Sequence, residues 1–529
     1  MPNEARTFNE IEATVGAGLV PARSECKLAQ PFRDHSTSND RESFFALTRG
    51  GQGQALPLQK FFARTLTALL LFVVASFGVA AQSSAPSSKD TLSAAPDAKK
   101  IDEVAATAEA LVTEFDVNGL KVIVKRRAGS QTVSAGLFVR GGARNVTAQN
   151  AGIEALMWDV ATEGSQSFPR QVLRKEIARM GTGLSYGINH DYSALTLGST
   201  RQNFDRSWEI FTDVALHPGF TPEDFQREKT RMVVARGNVN DVPDSFLEVL
   251  QSQVAYANHP YINDPDGTAE TLSRLTVEDV RRFHAQLMQT SRLLIVVVGD
   301  LDPATVRDRV AATFGKLPRG DYKRDAPPPL SFAMPTVDFT QRDLQTNYVQ
   351  GVFAAPPLTD PDIYPMRIAA SLLNDRIFAE VRVRRNLSYA PSAFLRDQGA
   401  NLGGIYVTTV GEHTNEAVSV MLYEINRLQR ETADPSELTS EVSGYLTKYY
   451  IGQETNGAQA GELAKYELIG GGWRNALHFL ERLRAVTPGD VQRVARRYMR
   501  NLRFVVLGDP TKVDKNLFTV STSVGGKAG

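Results

Sequence analysis

The feature that most constrains this chain is a motif that occurs twice. At Thr276-Val-Glu-Asp279 the sequence predicts the start of a helix: Thr is a favoured N-cap, and the acidic residues suit the positive end of the helix dipole. That helix feeds an unbroken apolar strand, Leu293-Leu-Ile-Val-Val-Val298, which stops at Gly299-Asp300. The arrangement returns at Thr487-Pro-Gly-Asp490, with Pro at the first helical position, followed by Phe504-Val-Val-Leu507 and Gly508-Asp509. A capped helix before a strand is common and constrains little alone. Its recurrence at the end of both halves, with the same Gly-Asp stop, points to a duplicated unit of about 200 residues. A Pro-rich stretch, residues 318–335 with Pro327-Pro-Pro329 at its centre, separates the two copies.

Within the first copy, Asn118-Gly119 is a turn signal leading into the alternating strand Leu120–Arg126. A second strand, Val133–Val139, runs into the Gly-rich turn Arg140-Gly-Gly-Ala-Arg144. Helical patterning over Gly152–Glu163 and further alternation from Tyr192 follow.

Composition excludes several kinds of chemistry. Lys plus Arg and Asp plus Glu both number 59, so nothing suggests the clustered basic face that nucleic acid requires. The single cysteine, Cys26, lies far from the repeats, which leaves no thiolate there for metal or nucleophilic chemistry. The seven histidines are His35, His190, His217, His259, His284, His413 and His478. No two of them are one helical turn apart, the spacing a helical zinc motif needs. No Gly-x-Ser-x-Gly elbow is present either.

Residues 59–81 read as a secretory signal. Lys60 and Arg64 form the positive flank, Leu66–Ala81 is an apolar core shorter than the ~20 residues of a spanning helix, and Val79-Ala80-Ala81 offers small residues for cleavage. The expectation is a secreted, periplasmic protein with no membrane span after cleavage; the alternative is an uncleaved signal that anchors it. Such signals open within a few residues of the initiator, so residues 1–58 read as a doubtful N-terminal extension and translation is expected to start near Leu56, at a codon other than Met. Residues 82–110, rich in Ser, Ala, Pro and Asp, read as a flexible tether.

Three motifs in order, Asn118-Gly-Leu-Lys-Val-Ile-Val, Phe138-Val-Arg-Gly-Gly-Ala-Arg144 and Asn150-Ala-Gly152, resemble the opening of the pitrilysin-like (M16) peptidases, the family of insulin-degrading enzyme and mitochondrial processing peptidase. The resemblance runs on through Asp205–Met232 to Gly299-Asp300 and covers both halves, roughly residues 112–512. It implies an α+β fold of two tandem homologous units, residues 111–317 and 336–512 with a tail at 513–529. Each unit would be a largely antiparallel sheet with helices packed on one face, the pair forming half of a clamshell.

The resemblance also implies where zinc chemistry would sit. Active members carry His-x-x-Glu-His on the helix after the Asn-Ala-Gly stretch, and a third ligand, a glutamate, further on. Here the two histidine positions are Ala155 and Asp159, the base is Trp158, and the third ligand is Ala235. One carboxylate does not hold zinc, which takes about four donors. The acidic residues left on the helix, Glu154, Asp159 and Glu163, read as a solvated face, so no metal is expected in this chain.

In the second half, Arg382 and Tyr389 match an Arg and a Tyr seven residues apart that in the family hold substrate opposite the zinc. The spacing alone favours an ordinary helix-end Arg and a core Tyr. With the family context it implies a substrate-holding subunit, inactive alone, that supplies Arg382 and Tyr389 to a partner carrying zinc on His-x-x-Glu-His and cleaving peptide substrates. A scaffold or peptide-binding protein with no role in proteolysis is the alternative. Gly470-Gly-Gly472, before Trp473, is either a mobile lining of the substrate cavity or a loop that ends a helix.

Overall fold

The computed structural model describes residues 107–323 and 325–519. The expected extension, signal and most of the tether lie outside the described residues, as does the tail beyond 519. No helix among the described residues is long and apolar enough to cross a membrane.

The repeat read from two short motifs is a repeat of sheet topology. The first sheet contains β1 (Val112–Val117), β2 (Leu120–Arg126), β3 (Thr132–Arg140), β4 (Gly183–Ile188), β5 (Tyr192–Thr200) and β6 (Leu293–Gly299), in the order β1-β2-β6-β3-β5-β4. The second contains β7 (Thr336–Gln341), β8 (Thr346–Ala354), β9 (Ser392–Leu395), β10 (Leu402–Val410) and β11 (Arg503–Gly508), in the order β7-β11-β8-β10-β9. Without the extra edge strand β1, the two orders correspond strand for strand. Each sheet has one parallel pair, β2 with β6 and β7 with β11, and is otherwise antiparallel.

Local chemistry sets the boundaries. Asn118 and Gly119 both adopt positive φ, 54° and 85°, as a tight hairpin turn between β1 and β2 demands. Thr276 and Thr487 each close a capping box. Their hydroxyls accept from the backbone N–H of Asp279 and Asp490 at 3.2 Å in both copies, and the Asp carboxylates accept the Thr N–H in return.

Each sheet lays one face on the helices of its own half. In the first, Leu137, Val139, Ile295 and Val297 meet Leu156, Trp158, Phe211 and Val280; in the second, Phe353, Ile405 and Val506 meet Ile368, Leu372, Met421 and Val494. The opposite faces are covered reciprocally. Helix Asn456–Ile469 of the second half sets Ala460, Leu463 and Ala464 against Ile123, Phe138, Leu294 and Val296 of the first sheet. Helix Pro243–Ala255 of the first half sets Leu247 against Val505 and Leu507 of the second. This explains why β6 is apolar at every position: a strand buried on both faces cannot alternate.

A polar seam joins the halves. Tyr261 Oη donates to Asp191, Gly399 N donates to Asp191 Oδ2 at 3.0 Å, and Ala400 N donates to Tyr261 Oη at 3.2 Å. Burial pushes the Asp191 carboxyl above the usual carboxylate range.

Candidate functional site

The helix that the resemblance aligns with the zinc motif of active members spans Ile153–Ala161 and is buried along its whole length. Gly152 precedes it with φ 89°, and a Cβ there would come within 2.9 Å of the Asp266 carbonyl and Gly267, so only glycine enters this turn unstrained.

The four positions that the resemblance aligns with the zinc ligands and base differ in their surroundings. Ala155 is buried. Trp158, at the base position, is fully enclosed, and its Nε1 donates to Ser193 Oγ at 3.0 Å. Asp159 is ion-paired to Arg231 from helix Pro222–Gly237, and Arg231 Nε reaches Glu228 at 2.7 Å. Asp159 also takes the phenol of Tyr186, whose ionisation is pushed far upward, first by burial and then by that carboxylate. Ala235, one turn beyond Arg231, is exposed. These residues do not fit zinc: one carboxylate remains, and a guanidinium and a phenol already occupy it. Among the described residues no group of three or more His, Cys, Asp or Glu side chains could hold a metal ion.

The acidic side chains of this helix region are not a solvated face, which corrects the sequence expectation. Glu154 is fully buried and accepts from Asn145 Nδ2 at 3.1 Å. Burial raises its pKa to about 7, against weaker lowering by Ser193, Asn145 and Arg292. Glu163 gathers Arg170, Arg174 and Arg227 at 2.5, 3.1 and 2.7 Å. The three carboxylates serve three separate sets of partners. The helix is too short and too enclosed by the sheet and by Pro222–Gly237 to have a wet side.

The structure brings Arg382 and Tyr389 together. Helix Ile363–Ile377 continues into a π-helical turn, Phe378–Arg384, and π turns recur at functional positions because they re-aim side chains. Two bonds pin the loop that follows: Leu387 N donates to the Val381 carbonyl at 2.9 Å, and Thr409 Oγ1 of β10 donates to the Leu387 carbonyl at 2.5 Å. With Leu387 anchored and buried, the Arg382 guanidinium carbon sits 4.5 Å from the centre of the Tyr389 ring, a cation–π contact. Tyr389 is 65 % exposed, so it is no core tyrosine. Of the guanidiniums on this turn, Arg384 and Arg385 both pair with Glu380. Arg382 meets no carboxylate among the described residues; its Nη1 donates to Asn386 Oδ1 at 3.0 Å.

Gly470-Gly-Gly472 ends a helix. Gly470 N and Gly472 N both donate to the Tyr466 carbonyl, and Gly471 and Gly472 take φ of 79° and 121°. The loop delivers Trp473 into the contact with the first sheet, where its Nε1 donates to Glu114 at 2.8 Å.

Two tandem units with the same strand order, each sheet laid on the helices of its own half, define the class of fold. The chain belongs to the insulinase (M16) peptidase family. The family model described as insulinase (peptidase family M16) matches residues 121–264, and that described as peptidase M16 inactive domain matches residues 274–445. An uncharacterised zinc protease of Streptomyces coelicolor is 21% identical over 393 residues, covering 72% of this chain and 85% of that protein. The mitochondrial-processing peptidase subunit beta of Blastocladiella emersonii is 23% identical over 416 residues, covering 74% and 87%. The solved structure of a peptidase M16 inactive domain from Pseudomonas fluorescens superposes with a TM-score of 0.70 at 17% identity, covering 75% of this chain and 98% of that one, a likeness of fold.

Proposed function

We propose that this chain is the non-catalytic, substrate-holding subunit of a heterodimeric M16 zinc peptidase acting on peptides or unfolded polypeptides. In this reading the partner subunit brings zinc on an intact His-x-x-Glu-His, and this chain brings Arg382 and Tyr389. The observation that carries the reading is the contrast between the two sites. The zinc position is packed with Trp158 and closed by the Asp159–Arg231 pair, whereas Tyr389 is open to solvent with a half-buried Arg382 held against its ring.

A guanidinium and a phenol placed side by side donate hydrogen bonds to an oxygen that becomes negative when water adds to a peptide carbonyl. Such bonds strengthen in the transition state, so their loss lowers kcat more than it raises KM. The apolar segment at residues 59–81 supports a secreted, periplasmic setting.

The test is reconstitution with a two-repeat family member from the same organism that carries His-x-x-Glu-His. The mixture is expected to cleave unfolded peptides well above the rate of the partner alone. Tyr389→Phe removes only the hydroxyl and is expected to lower kcat by about 10²- to 10³-fold, with assembly and the partner's zinc content unchanged. Arg382→Lys is expected to be poorly tolerated, because an ammonium does not reproduce the planar fork. Wild-type turnover in a folded Tyr389→Phe complex overturns the assignment and favours a scaffold role.

A further inference from the structure

Asn386 stands between Arg382 and Tyr389 in the chain, and its backbone and side chain each do something specific. Its φ is 52°, in the left-handed region that Asn tolerates better than most side chains, and this reversal turns the chain from the π-helical turn towards Tyr389. Its carboxamide Oδ1 accepts from Arg382 Nη1 at 3.0 Å while that guanidinium lies over the Tyr389 ring.

The neighbouring arginines show what a different partner does. Arg384 and Arg385 converge on one carboxylate, Glu380, which cancels one of their two positive charges and occupies donors of both forks. The hydrogen bond from Arg385 first, and then the charges of Arg384 and Arg385, hold Glu380 below the usual carboxylate range. Arg382 is held by a neutral acceptor instead. An amide oxygen fixes one edge of the fork and cancels none of its charge, so the remaining N–H donors keep their full attraction for an anionic oxygen. Ring, amide and anchored loop together restrain a long side chain that would otherwise sample many rotamers.

We propose that Asn386 is a positioning residue: it holds Arg382 over Tyr389 with the guanidinium charge uncancelled, ready for the carbonyl oxygen of a bound peptide. This inference rests on the substrate-holding reading above.

Two variants of the full chain separate geometry from charge. Asn386→Gly keeps the left-handed backbone and removes the amide; Asn386→Asp keeps an acceptor oxygen and adds a negative charge. In crystals, Arg382 is expected to leave the Tyr389 ring or lose its single conformation in Asn386→Gly, and to stay stacked in Asn386→Asp. In the reconstituted peptidase with a casein substrate, both variants are expected to lower kcat, by about 10- to 100-fold for the displaced guanidinium, with KM changed less than twofold. The proposal is overturned if Arg382 remains stacked in Asn386→Gly, or if both variants turn over at the wild-type rate while Arg382→Ala does not. If Arg382→Ala also turns over normally, the substrate-holding reading fails, and the crystal structure of Asn386→Gly still decides whether Asn386 positions the arginine.

Discussion

Restoring the zinc motif tests whether this site lost only its donors or was rebuilt. The perturbation is Ala155→His, Trp158→Glu, Asp159→His and Ala235→Glu together, with Trp158→Glu alone as the key comparison. Trp158 is fully buried, touches the first-half core and satisfies its indole N–H on Ser193. Deleting a ring of that size from a packed core costs about 3–5 kcal/mol. Glutamate then brings a carboxyl into the same enclosed space beside Glu154, which already rises to about 7 for want of solvation, adding at least about 1–3 kcal/mol for an unsatisfied buried group. Asp159→His further strands Arg231. A total of about 5 kcal/mol or more is a large part of a typical folding stability of about 5–15 kcal/mol. At about 2–4 °C per kcal/mol for a unit of roughly 200 residues, the unfolding midpoint should fall by 10 °C or more. Circular-dichroism melting reads the stability, and elemental analysis of the purified protein reads the metal, with wild type expected to hold no stoichiometric zinc. A quadruple variant that melts within about 2 °C of wild type and retains one tightly held zinc would refute the claim that the site has been repacked.

Two other outcomes follow from buried groups elsewhere. Because the folded state raises the Glu154 pKa from 4.5 to about 7, it binds that proton more tightly than the unfolded chain, so this group's contribution to stability is complete below pH 4.5 and is lost as pH rises to about 7. Glu154→Gln should therefore melt progressively above wild type from pH 4.5 to 7, by up to about 3 kcal/mol; a difference independent of pH would contradict the burial argument. At the seam between the halves, a Cβ on Gly399 would lie 2.7 Å from Asp191 Oδ1 and 2.8 Å from Pro327 Cγ. Gly399→Ala should cost about 1–3 kcal/mol and speed limited proteolysis between residues 318 and 335; unchanged cleavage would show that the seam does not hold the halves together.

Much of the fold was legible because it depends on neighbours in sequence. A Thr and an Asp three residues apart make a capping box wherever a helix follows, and they did so identically at Thr276 and Thr487. Asn-Gly admits the positive φ of a tight turn, and the strands β2, β3, β5, β6 and β11 lie where alternation or an apolar run placed them. That no His-x-x-Glu-His stands in the chain was equally plain, since it is a matter of residue identity alone. Asn386 could have been noticed as a residue that accepts positive φ beside Arg382, although nothing in the spacing indicates a hydrogen bond between them.

What only the tertiary structure decided is who meets whom across long separations. Helices Pro243–Ala255 and Asn456–Ile469 look like ordinary amphipathic segments, yet each covers the outer face of the other half's sheet. Their apolar stripes state how much surface must be buried and say nothing of which sheet will bury it. The acidic residues of Ile153–Ala161 and its C-terminal flank depart from the solvated face for the same reason. Charge on a short helix implies water only if no partner arrives, and Asp159 found Arg231 seventy-two positions away while Glu163 found Arg227. Composition and periodicity fix local geometry through bonds a few residues long; the burial of a carboxylate or the stacking of Arg382 on Tyr389 is settled by packing, where one desolvated group is tolerated only because another lies within reach.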